Sequence, residues 1–286
     1  MPLDTVEQFD WRQFLEHWNT QAMAVQIRSL RRNGIAESNK GARLDALRWT
    51  AQEYGVKIPE TLFDPLGEQG PDAAILSEAQ RRVEEVVALL TPAIHKRWPK
   101  LDHFADDYHW TVIRHGGHFF PPATEDQIAA AERRLGITLT PSYRAFLLVS
   151  NGWLTVSSRI LPVEQIAWLR EKSPDWVENY GGQAERDPGQ AMRDHLVYGS
   201  QQYPARYRGA YLHECVQISD TLAEINCVFL LNPALVFETG ECEAWFLAAW
   251  LPGAKRFKSF QALMDWMRTV DLDELKRCET DQRPLR

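Results

Sequence analysis

The spacing of apolar residues changes from helical to alternating partway along this chain, and that switch limits the fold more than any other feature. Trp11, Phe14, Leu15, Trp18, Ala22 and Val25 recur at the i, i+3, i+4, i+7 spacing of one helix face, and Asn33-Gly34 stops the run. A second helix carries Leu44, Leu47, Ala51 and Tyr54 on one face and ends at Gly55, with Pro59 following. A third uses Leu76, Ala79, Val83, Val86, Val87 and Leu90, and Pro92 should end or kink it. From Trp153 the period is two. Leu154 to Leu161, His195 to Gly199, Tyr211 to Ser219, Cys227 to Leu231, Leu235 to Thr239 and Glu243 to Trp250 read as strands, with a helix around Val163 to Tyr180 between them. Thr239-Gly240-Glu241 makes a hairpin turn. Ser259 caps a last helix that points Phe260, Leu263, Met264 and Met267 inward.

Helices first and adjacent strands later predict an α+β fold, with an antiparallel-dominated sheet flanked by helices behind an N-terminal all-helical region. The expected boundaries are a helical region over residues 1–97, a junction over 98–120, an α+β domain over 121–270 and a polar tail over 271–286.

The stretch PPATEDQIAAAERRLGITLTPSYRAFLLVSNGW, Pro121 to Trp153, is the most fully punctuated. Thr124 followed by Gln127 is a capping box, Ile128, Ala131 and Leu135 form a buried stripe, and Gly136 ends the helix. Thr140 is then the N-cap and Pro141 the first residue of a second helix with Tyr143, Phe146 and Leu147 inward. Asn151-Gly152 supplies the left-handed residue that ends it, and Trp153 opens an extended run, so Asn-Gly-Trp reads as a joint between helix and sheet. YGVKIPET at Tyr54 to Thr61 echoes LGITLTPS at Leu135 to Ser142, but it shares only the general grammar of a helix stop and argues for no duplication.

At 286 residues the chain can bury a sizeable core, and its 44% hydrophobic and 25% charged residues are those of a globular protein. The opening MPLDTVEQFDW carries acids and no basic, apolar leader, so no signal peptide is expected. The longest apolar run, Ala244 to Leu251, is too short for a membrane span. Cys215, Cys227, Cys242 and Cys278 show no CxxC spacing, which points away from a zinc site or disulfide framework and toward free thiols in the cytoplasm. Of the net charge of −7, −6 lies in residues 101–286, a balance that disfavours nucleic acid and favours a basic protein partner through encounter steering.

Candidate chemistry is sparse. His103, Asp106, Asp107, His109, His115 and His118 form the densest polar cluster; a metal-dependent hydrolase built on them is the least favoured reading of function, since none has the HExxH helix spacing that would bring imidazoles to one metal. His213 and Cys215 would share a strand face, but no orienting third group or oxyanion donor accompanies them, and cysteines among apolar residues read as buried, inert thiols. There is no GxSxG, P-loop or GxGxxG, so no catalytic residue, cofactor or metal is assigned. Two groups fit partner binding instead. Glu238, Glu241 and Glu243 ring the hairpin turn, with Asp220 and Glu224 in a preceding loop; an ordinary solvated hairpin would look the same. Tyr203, Arg206, Tyr207, Arg208 and Tyr211 bring together the residue types enriched in binding hot spots.

Pro121 to Trp153 resembles the opening motif of the SUKH superfamily, in the branch named for the Smi-one and Knr-four yeast proteins. The matching positions are Thr124, Glu132, Gly136, Pro141, Tyr143, Asn151, Gly152 and Trp153. ECVQISD at Glu214 to Asp220, VFLLNP at Val228 to Pro233 and SFQALMDWM at Ser259 to Met267 look similar too, and together they span roughly residues 118–270. The second helix opens Leu-Thr-Pro where the family commonly has Leu-Pro. The resemblance implies an α+β fold without enzymatic activity. It also implies the role of a bacterial immunity protein: binding and blocking a cognate toxin C-terminal domain, often a nuclease or other enzyme, encoded by an adjacent gene. Fungal relatives act as interaction scaffolds. A basic toxin would be met by Asp220, Glu224, Glu238, Glu241 and Glu243, with no nucleic acid or membrane among the partners.

Overall fold

The computed structural model describes residues 9–34, 51–52, 54–67, 71–97, 120–154, 159–181, 188–220, 226–251 and 253–280. The chain divides into two compact units. One comprises residues 1–14 and 119–269, the other 15–118 and 270–286.

The first unit opens with the start of α1 (Trp11–Asn33). The Trp11 ring packs against Phe146 at 5.5 Å and Phe260 at 5.6 Å between centroids, and Tyr143 meets Phe260 edge-on at 4.8 Å. The N-terminal helical stretch therefore lends its first turn to the core of the sheet-bearing unit. In α3 (Glu125–Leu135) the Thr124–Gln127 capping box is formed in both directions, Ile128, Ala131 and Leu135 are buried, and Gly136 closes the helix at φ 70°. Glu132 reaches past the helix end, where its carboxylate accepts the Leu139 N–H at 2.9 Å. α4 (Pro141–Leu147) starts on Pro141 as expected, but Thr140 does not cap it with its own side chain.

α4 ends earlier than its Asn-Gly suggests. Its C-cap is Leu148 in the right-handed region. Asn151 works as a clamp: its Oδ1 accepts the Val163 N–H at 2.7 Å and its Nδ2 donates to Glu164 at 3.1 Å. Gly152, at φ 116°, passes so close to Ile160 that a Cβ would stand 2.9 Å from that carbonyl oxygen. Only glycine fits both the backbone angle and the space. Trp153 follows, fully buried, in β1 (Trp153–Leu154), paired antiparallel with β2 (Arg159–Ile160).

The main sheet has the order β3-β4-β5-β6-β7 and is antiparallel throughout, from β3 (Ala167–Trp168), β4 (Val216–Gln217), β5 (Cys227–Val236), β6 (Cys242–Ala248) and β7 (Gly253–Phe257). Several expected elements are redrawn. The helix expected over Val163 to Tyr180 is β3 followed by α5 (Leu169–Lys172) and α6 (Pro174–Tyr180). His195 is not the start of a strand but the last residue of α7 (Pro188–His195). Tyr211 to Glu214 belongs to a 3-10 turn, Gly209–Glu214, and the strand proper is Val216–Gln217, with Ser219 in an isolated bridge to Ile160. The two strands expected on either side of Asn232 are one, β5, with a register shift around Pro233 that spares the ladder a missing donor. Gly240, at φ 78°, turns β5 into β6, where Phe237 donates its N–H to the Glu241 carbonyl.

Alternation assigns the two faces. Val228, Leu230, Trp245, Leu247 and Ala254 form one buried cluster with Leu169 of α5, Trp176 and Val177 of α6, and Leu212 and Cys215. Phe229 and Phe246, 5.5 Å apart, lie on the opposite face, where Trp266 of α8 (Phe260–Thr280) packs on Phe246 at 4.9 Å and on Phe257 at 5.4 Å. Ser259 accepts the Ala262 N–H at 3.1 Å and so caps α8, which continues through the expected polar tail to Thr280. β7 is an edge strand that the pattern reading missed. Its outward backbone groups are taken up locally: the Arg256 N–H donates to the Gln202 side chain at 2.8 Å, and the Ala254 N–H to the Pro204 carbonyl at 3.1 Å.

In the second unit, α2 (Asp72–Arg97) buries Ile75, Ala79, Val83, Val86 and Leu90 with Ala51 and with Leu62 and Phe63 of a 3-10 turn, Glu60–Phe63. Pro92 sits inside α2 without ending it. Gly55 is left-handed and donates to Gln52, while Val56 donates to Ala51, the paired bonds of a Schellman stop.

Candidate functional site

The acidic row expected around the β5–β6 turn divides into residues that serve the interior and residues that face water. Glu243 alternates with Ala244 along β6, so it points to the face covered by α7, and it is 0% exposed. It belongs to the core and not to a partner surface. Its Oε2 accepts from Trp245 Nε1 at 2.6 Å, Asn232 Nδ2 at 3.0 Å and His195 Nε2 at 3.0 Å, and its Oε1 accepts from the Tyr198 hydroxyl at 2.8 Å. Burial alone would raise its pKa, but the hydrogen bonds from His195, Asn232 and Trp245 outweigh it and hold the carboxyl below its ordinary value.

His195 is held from both sides. Its Nδ1 accepts the Arg208 backbone N–H at 3.0 Å, which leaves the proton on Nε2, facing Glu243. Arg256 completes the assembly from β7. Its guanidinium donates to the carbonyls of His195 and, at 3.3 Å, Val197, while burial lowers its pKa against the opposing pull of Glu243. The result is a carboxylate and a guanidinium buried in one sheet face, the first bonded to four fixed donors and the second to two backbone carbonyls, joining α7 to β5, β6 and β7. Such an arrangement fixes geometry and register.

Glu241 serves the fold in another way. Its carboxylate accepts the Ser142 N–H at 2.7 Å, the Ser142 hydroxyl at 2.6 Å and the Thr140 hydroxyl at 2.5 Å, while Thr140 Oγ1 accepts the Cys242 N–H at 3.1 Å. It closes the N-terminus of α4 from a distant turn, in place of Thr140. Glu238 is exposed, Asp220 is half-buried and paired with Arg159 at 2.7 Å, and Glu224 lies outside the described residues.

The tyrosine and arginine segment also splits. Tyr207 is tied down, its hydroxyl on the Tyr180 carbonyl at 3.1 Å and its ring edge-on to Trp245 at 5.7 Å, and Arg208 stacks over Tyr211 at 4.9 Å. Tyr203 and Arg206 remain outside. Cys215 is buried while His213 is exposed, so the two are not a reactive pair. Burial pushes the Cys215 thiol well up, and pushes Cys227 and Cys242 up to about 12. The histidine cluster from His103 to His118 lies outside the described residues, and among the described residues no His, Cys, Asp or Glu group of three or more is placed to hold a metal. Nor is any described helix long and apolar enough to cross a membrane.

An antiparallel five-stranded sheet, with paired helices and an Asn-Gly-Trp joint ahead of it and a closing helix behind, defines an α+β protein whose polar interior is committed to holding the sheet together. Residues 122–268, just over half the chain, match the SMI1 / KNR4 family (SUKH-1), and the chain belongs to that family. A comparison with curated proteins returned no match.

Proposed function

We propose that this chain is an immunity protein that binds a cognate toxin C-terminal domain, a nuclease or other secreted effector encoded by an adjacent gene, and neutralises it by non-covalent occlusion in the cytoplasm. Membership of SUKH-1 is the observation that carries the reading. The engagement of Glu243, His195 and Arg256 in mutual bonds supports it, because the buried polar groups hold the fold and binding is left to the surface. For a basic toxin, the surface carboxylates Glu238 and Asp220 are the proposed contacts, joined by Glu224; the outer edge of Glu241 can add charge while it caps α4. Such contacts act mainly on association rate and weaken with salt.

The test is capture of the chain from its native cells, before and after a high-salt wash, with identification of what co-purifies. One stoichiometric partner, whose C-terminal domain arrests growth when expressed alone and is tolerated when this chain is co-expressed, supports the proposal. A captured partner whose expression is harmless overturns it. A second reading, a non-enzymatic regulatory scaffold, is favoured by the division into two compact units and predicts two partners that are lost separately on substitution of one unit's surface.

A further inference from the structure

Met192, in α7, holds its sulfur against two polar donors. The Tyr211 hydroxyl donates to Sδ at 3.7 Å, and Nη1 of Arg208 donates to the same Sδ at 3.7 Å. Nη1 also donates to the Tyr211 oxygen at 3.1 Å, so guanidinium, phenol and thioether close a triangle. A thioether is a weak acceptor and a guanidinium a strong donor, so the sulfur answers these groups poorly. The ordinary role of a methionine, filling an irregular gap in an apolar core, asks for no donors at all. Met264 and Met267 play that role in α8, buried at 0% and 1% exposure.

The fold sets the two donors independently of the sulfur. His195, which shares a face of α7 with Met192 at i and i+3, meets the Tyr211 ring edge-on at 5.2 Å and accepts the Arg208 backbone N–H at 3.0 Å. The Arg208 guanidinium in turn lies over the Tyr211 ring at 4.9 Å. Met192, Arg208 and Tyr211 are all half-buried and keep part of their surface in water, unlike the methionines of the core.

We propose that Met192 is a site of reversible oxidation to methionine sulfoxide by hydrogen peroxide, and that Arg208 and Tyr211 receive the oxygen it gains. A sulfur lone pair attacks one peroxide oxygen, the S–O bond forms as the O–O bond breaks, and the departing hydroxide takes the proton left on the transferred oxygen and leaves as water. Sulfur loses two electrons and the peroxide is reduced. The new oxygen is a strong acceptor on the side of the sulfur to which both donors already point, so two weak bonds become strong ones; at a core methionine the same oxygen would be buried without a donor. Because the donors lie on one side, one sulfoxide epimer is favoured. A sulfoxide reductase restores the thioether, oxidising two thiols to a disulfide and releasing water. The inference is independent of the proposed binding of a toxin.

The experiment treats the full chain with hydrogen peroxide and follows it by peptide mapping. Met192 should gain oxygen at least about ten-fold faster than Met264 and Met267. The oxidised protein should keep its urea midpoint, and of the two reductases, each specific for one epimer, a single one should remove most of the oxygen. Tyr211→Phe keeps the ring against His195 and removes one donor, and should bring the epimers close to equal. In unoxidised protein, Tyr211→Phe should lower the urea midpoint more beside Met192→Gln, whose side-chain carbonyl stands in for the sulfoxide oxygen, than beside Met192→Leu, which offers no acceptor. A Met192 as slow as the core methionines, a lower midpoint on oxidation at Met192 alone, equal epimers in the unsubstituted protein, a bias undiminished by Tyr211→Phe, or equal effects in the Gln and Leu backgrounds would each overturn the proposal.

Discussion

Glu241 caps α4 from the far side of a hairpin, its carboxylate accepting the N–H of Ser142 in the first turn at 2.7 Å across 99 residues of sequence. The opening amides of a helix carry partial positive charge, so this carboxylate satisfies a donor and complements the dipole at once. Glu241→Ala should destabilise the protein by about 1–2 kcal/mol, read as a lower urea midpoint at unchanged slope. An unchanged midpoint would mean that Thr140 can take over the cap.

Glu243→Ala should cost more, about 3–5 kcal/mol, because it strands the buried donors of Trp245, Asn232 and His195 and the part-buried hydroxyl of Tyr198. Gln at the same position keeps the volume and part of the bonding, and its deficit should be smaller. Urea unfolding of the two variants ranks them.

The same carboxyl predicts an acid-side loss of stability. Its folded pKa lies below the ordinary 4.5, so its contribution is complete above that value and is lost as pH falls through the folded pKa. Unfolding free energy of the native protein should therefore decline on acidification below about pH 4.5, and Glu243→Gln should flatten that part of the profile. A profile equally steep in the variant would place the effect on other carboxyls.

Buried thiols with pKa values pushed up to about 12 hold almost no thiolate at neutral pH. Cys215, Cys227 and Cys242 should resist an aromatic disulfide reagent in the native protein and react promptly in denaturant. Rapid native labelling at any of the three, located by peptide mapping, would contradict their burial.

Trp11 bears on how the chain can be cut. Its ring packs on Phe146 and Phe260, so Trp11→Ala should destabilise the sheet-bearing unit by about 3–5 kcal/mol, and a truncation removing residues 1–97 should behave at least as badly. Thermal unfolding of the variant, followed by near-ultraviolet circular dichroism, measures it. A shortened chain starting at Pro121 that unfolds as cooperatively as the full one would show the ring to be dispensable.

Features governed by near neighbours were legible in the sequence. The apolar face of α1, the Thr124–Gln127 box, the Gly136 stop and the Gly240 turn each depend on residues within a few positions, and each is formed. Features governed by distant partners were not. HLVYG alternates like a strand, but His195 ends a helix because Glu243, 48 residues away, and Arg208 hold its ring. β7 escaped notice because Lys255 and Arg256 look solvated in the sequence, whereas Lys255 lies over the Trp266 ring at 4.6 Å and Arg256 is buried. In the acidic row, Glu238 and Glu243 are indistinguishable until the hairpin is placed: Glu238 lies in the turn, in water, while the register of β6 sends Glu243 to the core.

The single side chain of Gln202 acts on β7 as a one-residue stopper. An open sheet margin is a template on which another chain can crystallise, whether a misfolded copy or a nascent one on a neighbouring ribosome. By occupying the Arg256 N–H, and by returning a bond of 3.3 Å from its own amide to the Arg256 carbonyl, Gln202 spends that templating capacity within the molecule. The opposite margin is β3, only two residues long. Among the described residues, neither margin of this sheet offers a long run of open amides and carbonyls on which a second copy could continue the ladder.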